Sequence, residues 1–180
     1  MHSRGGSLAA AACEAVAEGL TFAVAHGPLL AMLSQLTAAD EEQLRCGAKA
    51  LLARGADALG GGDGEAAVMP CAAAAMRSAA GPARHLRAAC VAPAPSAKLR
   101  AFTRLCHEVS AVSGRALDAE ELLPLIALAL AHAVTDGRAP RLLAQLHLAD
   151  CFLGAGAHTK LGYCLTTVQA AASFVSDQAG

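Results

Sequence analysis

An apolar stripe at helical spacing between residues 99 and 112 restricts the fold of this chain more than any other feature. The stripe consists of Leu99, Phe102, Leu105 or Cys106, Val109 and Val112, which recur every three or four positions. This spacing predicts a helix over residues 97–113 that buries one face and keeps Arg100, Arg104 and Glu108 on its polar face. Such a helix needs partners that cover its apolar stripe.

The composition indicates that those partners are helices. Hydrophobic residues make up 55% of the 180 residues and aromatic residues only 3%, which favours helices that pack closely through Ala, Leu and Val. The chain is therefore expected to be an all-α, single-domain multi-helix bundle. Helices are predicted at residues 8–26, 28–36, 40–57, 65–79, 83–91, 97–113, 119–135, 141–151 and 166–177, with an extended connector at 91–96.

Charge and metal-binding residues exclude several functions. A net charge of −1 provides no basic field for nucleic acid and no polybasic membrane footprint, so neither is expected to bind by bulk electrostatics. The seven cysteines are an odd number without a Cys-x-x-Cys pair, as expected for free thiols in a reducing cytosol. No histidine pair has the spacing and third ligand of a helix-borne zinc site, so no metal and no cofactor are expected.

No membrane-spanning segment is expected from the sequence. The longest apolar run, Leu122 to Val134, is shorter than the roughly 20 residues that a spanning helix requires, so it predicts a buried core helix. At the N-terminus, Glu14 and Glu18 interrupt the apolar residues before a signal peptide of proper length forms. The sequence therefore predicts a soluble chain without direct membrane insertion, cut from a larger multidomain protein.

The segment from Asp118 to Pro124 predicts an unusual helix start. Asp118 and Glu121 have the spacing of a reciprocal capping box, so a helix should begin there. Pro124 then falls at about the sixth helical position, where it removes the hydrogen bond to the carbonyl of Glu120. The Glu120 carboxylate is expected at the positive end of the helix dipole. First-turn acidic residues commonly do no more than complement that dipole, and this simpler interpretation stays open.

A second polar segment surrounds the single tyrosine. Thr166 and Gln169 repeat the capping-box spacing, which predicts that a helix starts at Thr166 or Thr167. Tyr163 would then lie in the turn after Gly162, just before the cap. From there it could pack onto the helix as a hydrophobic staple or present its ring and hydroxyl group to a partner. The sequence leaves both possibilities open.

Taken in order, these segments resemble the vacuolar protein sorting nine domain, the catalytic domain of exchange factors for the Rab-five subfamily of small GTPases. That family has an acidic pair, two apolar residues and a proline at a helix start, as in residues 120–124, and a later Tyr-x-x-Thr motif, as in residues 163–166. Residues 95–99 and 139–142 resemble further helix starts of the family. The match is clearest at 98–175, within a domain at 13–177 that follows an N-terminal extension at 1–12.

The resemblance implies a helical bundle of this type that promotes GDP release from a Rab-five-like GTPase in endosomal vesicle traffic. No covalent chemistry is implied. Glu120 matches the acidic finger, the carboxylate that enters the nucleotide pocket and disfavours phosphate and Mg²⁺. The residues implied to bind the GTPase, in its nucleotide-free or GDP form, are Glu121, Leu123, Pro124, Tyr163 and Thr166. The implied location is the cytoplasm, with peripheral recruitment to endosomal membranes.

Two positions depart from the family pattern. The family has aspartate at the finger position, where this chain has Glu120, and usually a second tyrosine where it has Cys164. Glutamate keeps the charge, adds a methylene group and has one more side-chain rotation to restrict. The loss of the second aromatic residue is expected to thin the recognition surface. The alternative function is a catalytically silent domain of the same fold that binds a GTPase or another protein.

Overall fold

The computed structural model describes residues 4–54, 76, 81–112, 117–153 and 159–180, with side chains from residue 12 onward except at 119 and 120. Within these residues every regular element is a helix, which confirms the all-α prediction. The helices are α1 (Arg4–Leu36), α2 (Ala38–Arg54), α3 (Ala83–Val91), α4 (Pro95–Val112), α5 (Ala119–Thr135), α6 (Leu142–Cys151) and α7 (Lys160–Asp177). The predicted helix at 65–79 lies outside the described residues apart from Met76, which is helical and buried.

Helix α5 is the central helix of the bundle. It packs against α2 and α7 and also contacts α3 and α4. Every residue from Leu125 to Ala131 is buried, as expected for a helix that is apolar on all sides. The prediction that the run from Leu122 to Val134 forms a core helix is therefore confirmed.

Helices α3 and α4 form a hairpin that covers one side of the core. The predicted stripe of α4 is buried from Leu99 to Val109, whereas Val112 at the helix end is 37% exposed. Glu108 of α4 joins the two helices by accepting contacts from His85 at 2.5 Å and Arg84 at 2.9 Å. The predicted connector is shorter than expected, because Pro95 already belongs to α4. Proline suits a first helical position, where its missing N–H is not needed.

A buried lysine ties the end of α3 to α4 and α6. Lys98 is fully buried, and its ammonium group donates to the carbonyls of Ala89 at 3.0 Å and Ala92 at 2.5 Å. It also donates to the Gln145 side-chain oxygen at 2.5 Å, while the Gln145 amide donates to the Cys90 carbonyl at 3.0 Å. The last carbonyls of α3 are thus satisfied by side chains of two neighbouring helices. Burial lowers the pKa of Lys98 to about 8.

Helix α1 corrects one prediction, because it runs without interruption through Pro28 where two helices, 8–26 and 28–36, were expected. The predicted break was wrong for a physical reason. Pro28 and Val24, whose carbonyl loses its helical partner, are both exposed, so water can replace the missing hydrogen bond. Helix α1 also continues through residue 12, and the domain limits at 12 and 177 stay a prediction.

Three side chains spaced one helical turn apart attach α1 to the rest of the bundle. Glu18 accepts from the Ser96 N–H at 2.8 Å and from its hydroxyl group at 2.5 Å. The Phe22 ring packs edge-on against Phe152, with 4.8 Å between the ring centroids. His26 lies 3.3 Å from the Lys98 ammonium, and burial together with the Lys98 charge lowers the pKa of His26. Its imidazole therefore accepts this contact in the neutral form.

The opposite side of α1 is apolar and open to solvent. Its exposed large apolar side chains are Val16, Leu20, Val24, Met32 and Leu36. By length and composition alone, the 25-residue segment Ala12–Leu36 could cross a membrane, since it contains an 18-residue stretch with a mean hydropathy of 1.4, of which 6% is buried. An N-terminal signal sequence or a soluble core helix can have the same length and composition.

Candidate functional site

The start of α5 has the predicted capping geometry. The Glu121 N–H donates to the Asp118 carboxylate at 2.9 Å, and the Asp118 N–H donates to the Glu121 carboxylate at 3.2 Å. Asp118 itself has extended backbone angles, as an N-cap residue should. The capping box is therefore confirmed. Glu121 is accordingly engaged in closing the helix end, in addition to any part it has in GTPase binding.

The first two turns of α5 contain the predicted acidic finger and two of the predicted GTPase-binding residues. Glu120 is the second residue of the helix, and its side chain lies outside the described part of the structure. Pro124 lacks an N–H, so it cannot donate the helical hydrogen bond to the Glu120 carbonyl. Leu123 and Pro124 are half-buried, whereas Leu122 is buried. Two of the predicted GTPase-binding residues thus lie where the central helix emerges from the core.

The start of α7 corrects the prediction made from Thr166. The helix begins at Lys160, after Thr159 in an extended conformation, and the Tyr163 N–H donates to the Thr159 carbonyl at 3.0 Å. Thr166 therefore lies inside the helix and caps nothing. The predicted turn at Gly162 was wrong, because Gly162 is a buried residue inside the helix.

Tyr163 lies in the first turn of α7 and faces solvent. Half of its surface is exposed, and because it follows the helix start it cannot be a staple placed before the cap. Lys160, Tyr163 and Thr166 share one exposed stripe at helical spacing. This orientation agrees with the second interpretation, in which the tyrosine is presented to a partner. Lys160 was missed because the sequence placed it in a loop.

Cys164 faces the core and does not belong to this surface. It is buried, and the Cys106 thiol on α4 lies 3.9 Å from its carbonyl oxygen. Hydrogen bonding with Cys106 lowers the pKa of the Cys164 thiol to about 7 and raises that of Cys106. The expectation that cysteine at this position thins the recognition surface is therefore wrong, because a residue here alters packing between α4 and α7.

The two predicted segments are both linked to the carboxyl half of α4. Helices α5 and α7 pack along one another. Cys164, near the start of α7, lies beside Cys106 of α4. Six residues beyond Cys106, α4 ends at Val112, and a short link of residues 113–118 leads to the start of α5. The start of α5 therefore follows the carboxyl end of α4 in the chain, the start of α7 contacts the carboxyl half of α4, and the two together make up the candidate site.

The described residues of this candidate site include no metal centre. Among the described residues, no group of three or more His, Cys, Asp or Glu side chains could hold a metal ion. A cleft of about 400 Å³ lies between α2, α6 and α7, where Asp40, His147 and Asp177 contribute to its lining. Gln169 also lines the cleft and follows Thr166 by three positions, or roughly 4.5 Å along the helix, so the cleft begins within one helical turn of the candidate site.

Comparison with known proteins identifies the family. The model of the vacuolar sorting protein 9 (VPS9) domain matches residues 84–179, which is more than half of the chain and includes both motifs. No curated protein and no solved structure matches the chain. The family match begins at residue 84 in α3, whereas the resemblance of individual motifs becomes clear only from residue 98 onward. Helices α3 to α7 are thus the matched region, and the chain belongs to the VPS9 domain family.

Proposed function

We propose that this protein is a guanine-nucleotide exchange factor for a Rab-five-like small GTPase in endosomal vesicle traffic. Membership of the VPS9 family supports a small GTPase as the partner and exchange-type activity or binding in general. One observation carries the proposed site: α5 follows the carboxyl end of α4 in the chain, and the first turns of α7 contact the carboxyl half of α4. A GTPase docked at this end would contact both motifs together.

The proposed activity makes and breaks no covalent bond. An exchange factor stabilises the nucleotide-free GTPase, so that factor and nucleotide weaken each other's binding by the same ratio. GTPases bind nucleotide largely through a phosphate-binding lysine and Mg²⁺. A carboxylate placed in that pocket competes for the lysine and repels the phosphate. Enzyme-like turnover follows because the same factor molecule can act on successive GTPase molecules.

Glu120 is the proposed source of that carboxylate. The capping box uses Asp118 and Glu121, so closure of the helix end does not depend on Glu120. The positive end of the α5 dipole favours a negative charge at this position before the GTPase arrives. The rigid central helix holds the finger in place, which reduces the entropy lost on binding.

The surface proposed to receive the switch regions of the GTPase surrounds Glu120. Leu123 and Pro124 provide partly exposed apolar area on α5, while Tyr163 and Thr166 lie on the exposed stripe of α7. Tyrosine offers a large contact area with a polar end and is enriched at interface hot spots. We place the protein in the cytoplasm, recruited to endosomal membranes as part of a larger protein.

The proposal is tested by measuring release of a fluorescent GDP analogue from a panel of purified Rab GTPases. Catalysed release from a Rab-five-like member, dependent on the concentration of this protein, is the expected result. Saturable binding without accelerated release would reject exchange and favour the catalytically silent alternative. Neither binding nor release with any member would reject both functions.

We expect Tyr163→Ala to weaken GTPase binding with little loss of stability. The side chain is half exposed, whereas an interface aromatic residue often contributes ~2 kcal/mol or more, or about 30-fold in affinity. Titration calorimetry and thermal denaturation measure the two quantities separately. Ser173→Ala, farther along the exposed side of α7, is the control and should change neither. A lower melting temperature with unchanged affinity would contradict the proposed role of Tyr163.

A further inference from the structure

The α3–α4 hairpin has a charge opposite to that of the whole chain. Residues 81–112 contain five basic residues, Arg84, Arg87, Lys98, Arg100 and Arg104, and one acidic residue, Glu108. Five positive charges and one negative charge give this segment a net charge of +4, against −1 for the complete chain. The expectation of no basic footprint was therefore wrong for this region, because the net charge averages a basic hairpin with an acidic remainder.

The arginines of the hairpin form two exposed rows. On α4, Arg100, Arg104 and His107 are exposed at i, i+4 and i+7, so they lie along one side of the helix. On α3, Arg87 and Val91 are exposed one turn apart. Lys98 is buried and takes no part.

Within the described part of the chain, three of the hairpin arginines lack a counter-charge. Arg87, Arg100 and Arg104 make no ion pair or hydrogen bond with any residue that the structure describes. Glu108, the single acidic residue of the segment, is already engaged with Arg84 and His85. Unpaired surface cations on neighbouring helices attract an extended anionic partner.

We propose that this basic face binds the surface of an anionic lipid bilayer. The exposed rows contain no aromatic residue, and the aromatic anchors that dominate specific protein interfaces are therefore missing. A bilayer requires no such anchor, because each arginine near an anionic surface is attracted independently. A spread of unpaired arginines over two helices fits this partner better than a compact acidic protein site.

The adjoining helix α1 supplies a second feature that suits a bilayer. Glu18 fixes α1 to the first turn of α4 through Ser96, so α1 adjoins the hairpin. Val91 on α3, exposed one turn from Arg87, can enter the boundary between headgroups and acyl chains, and the exposed Leu20 and Val24 add apolar area on the side of α1 that faces away from the bundle. Apolar side chains next to cations are typical of surfaces that lie on a membrane without crossing it. An acidic protein partner would not account for the apolar residues.

The proposal is tested with the complete chain and with vesicles, independently of exchange activity. Co-sedimentation should detect binding to phosphatidylcholine vesicles that contain about one quarter phosphatidylserine, and little binding to phosphatidylcholine alone. Higher salt should weaken the binding. The variant Arg87→Glu/Arg100→Glu/Arg104→Glu should bind on the order of 100-fold more weakly, since each arginine contributes about fivefold.

A matched variant separates the hairpin from total charge. Arg45→Glu/Lys49→Glu/Arg141→Glu changes the net charge equally at exposed positions on α2 and just before α6, and it should retain most of the binding. Circular dichroism should show both variants folded. Equal loss of binding in the two variants would overturn the assignment to the hairpin. Absence of vesicle binding, or arginine-dependent binding to polyglutamate alone, would overturn the membrane as partner.

Discussion

Glu120→Ala is expected to abolish nucleotide release from the GTPase while the protein stays folded. If Glu120 is the acidic finger, its carboxylate carries the competition with phosphate and Mg²⁺, and alanine offers no replacement. Stability should change little, because a first-turn acidic residue contributes only about 0.3–1 kcal/mol through the helix dipole. Release of fluorescent GDP and the melting temperature are the two measurements. Glu14→Ala, at an exposed position of α1, serves as the control and should behave like the wild type.

The conservative variant Glu120→Asp measures the reach of the finger. Aspartate keeps the charge but shortens the side chain by one methylene group, a shift of roughly 1.3 Å that can change rates about 100-fold in a preorganised site. Faster release would show that glutamate detunes a site built for aspartate, and slower release would show that the partner is adapted to glutamate. An exchange rate that neither Glu120→Ala nor Glu120→Asp alters would contradict the finger assignment.

Lys98→Met is expected to cause the largest loss of stability. The substitution keeps a long, flexible side chain but leaves the carbonyls of Ala89 and Ala92 and the Gln145 oxygen without their donor. A buried acceptor left without a partner costs about 1–3 kcal/mol, so the loss of a donor to three acceptors should lower the free energy of unfolding by about 3–9 kcal/mol. Chemical denaturation measures this directly. Lys49→Met, exposed on α2, is the matched control.

The pH dependence of the same pair of proteins tests the buried charge. Burial lowers the pKa of Lys98 from 10.5 to about 8, so between these values the unfolded chain binds the proton more strongly than the folded protein. Raising the pH from about 8 toward 10.5 should therefore stabilise the wild type relative to Lys98→Met. A variant as stable as the wild type at pH 7 would show that desolvation of the ammonium group cancels its hydrogen bonds.

Local sequence signals predicted the fold where they agreed with packing. The capping box at Asp118 and the apolar run behind it correctly placed α5, because cap, dipole and burial all favour the same helix. At Thr166 the same capping pattern failed, since helix packing extends α7 upstream to Lys160. At Pro28 the predicted helix break was wrong because the Val24 carbonyl, which loses its helical hydrogen bond, is exposed to water.

The candidate site was predictable in its motifs but not in its orientation. Spacing and resemblance selected Glu120, Pro124, Tyr163 and Thr166, and the correct start of α7 then showed that Tyr163 is exposed and Cys164 buried. Adjacent residues of a helix can face opposite environments, as Tyr163 faces solvent and Cys164 faces the core. A sequence motif does not show which of the two is exposed. The basic hairpin was not predicted because the net charge of a chain does not show where its charged residues lie.

The close approach of α2 to α7 shows that the folding unit and the region of the family match do not have the same boundary. At Gly47 an added Cβ would lie 1.9 Å from the Val175 carbonyl oxygen, and Leu44, Ala48 and Leu51 are buried in the same core as α5 and α7. Yet the family match begins only at residue 84. The unit that folds is therefore larger than the unit recognised by sequence similarity, and a fragment cut at the start of the match would expose the hydrophobic core that α2 covers.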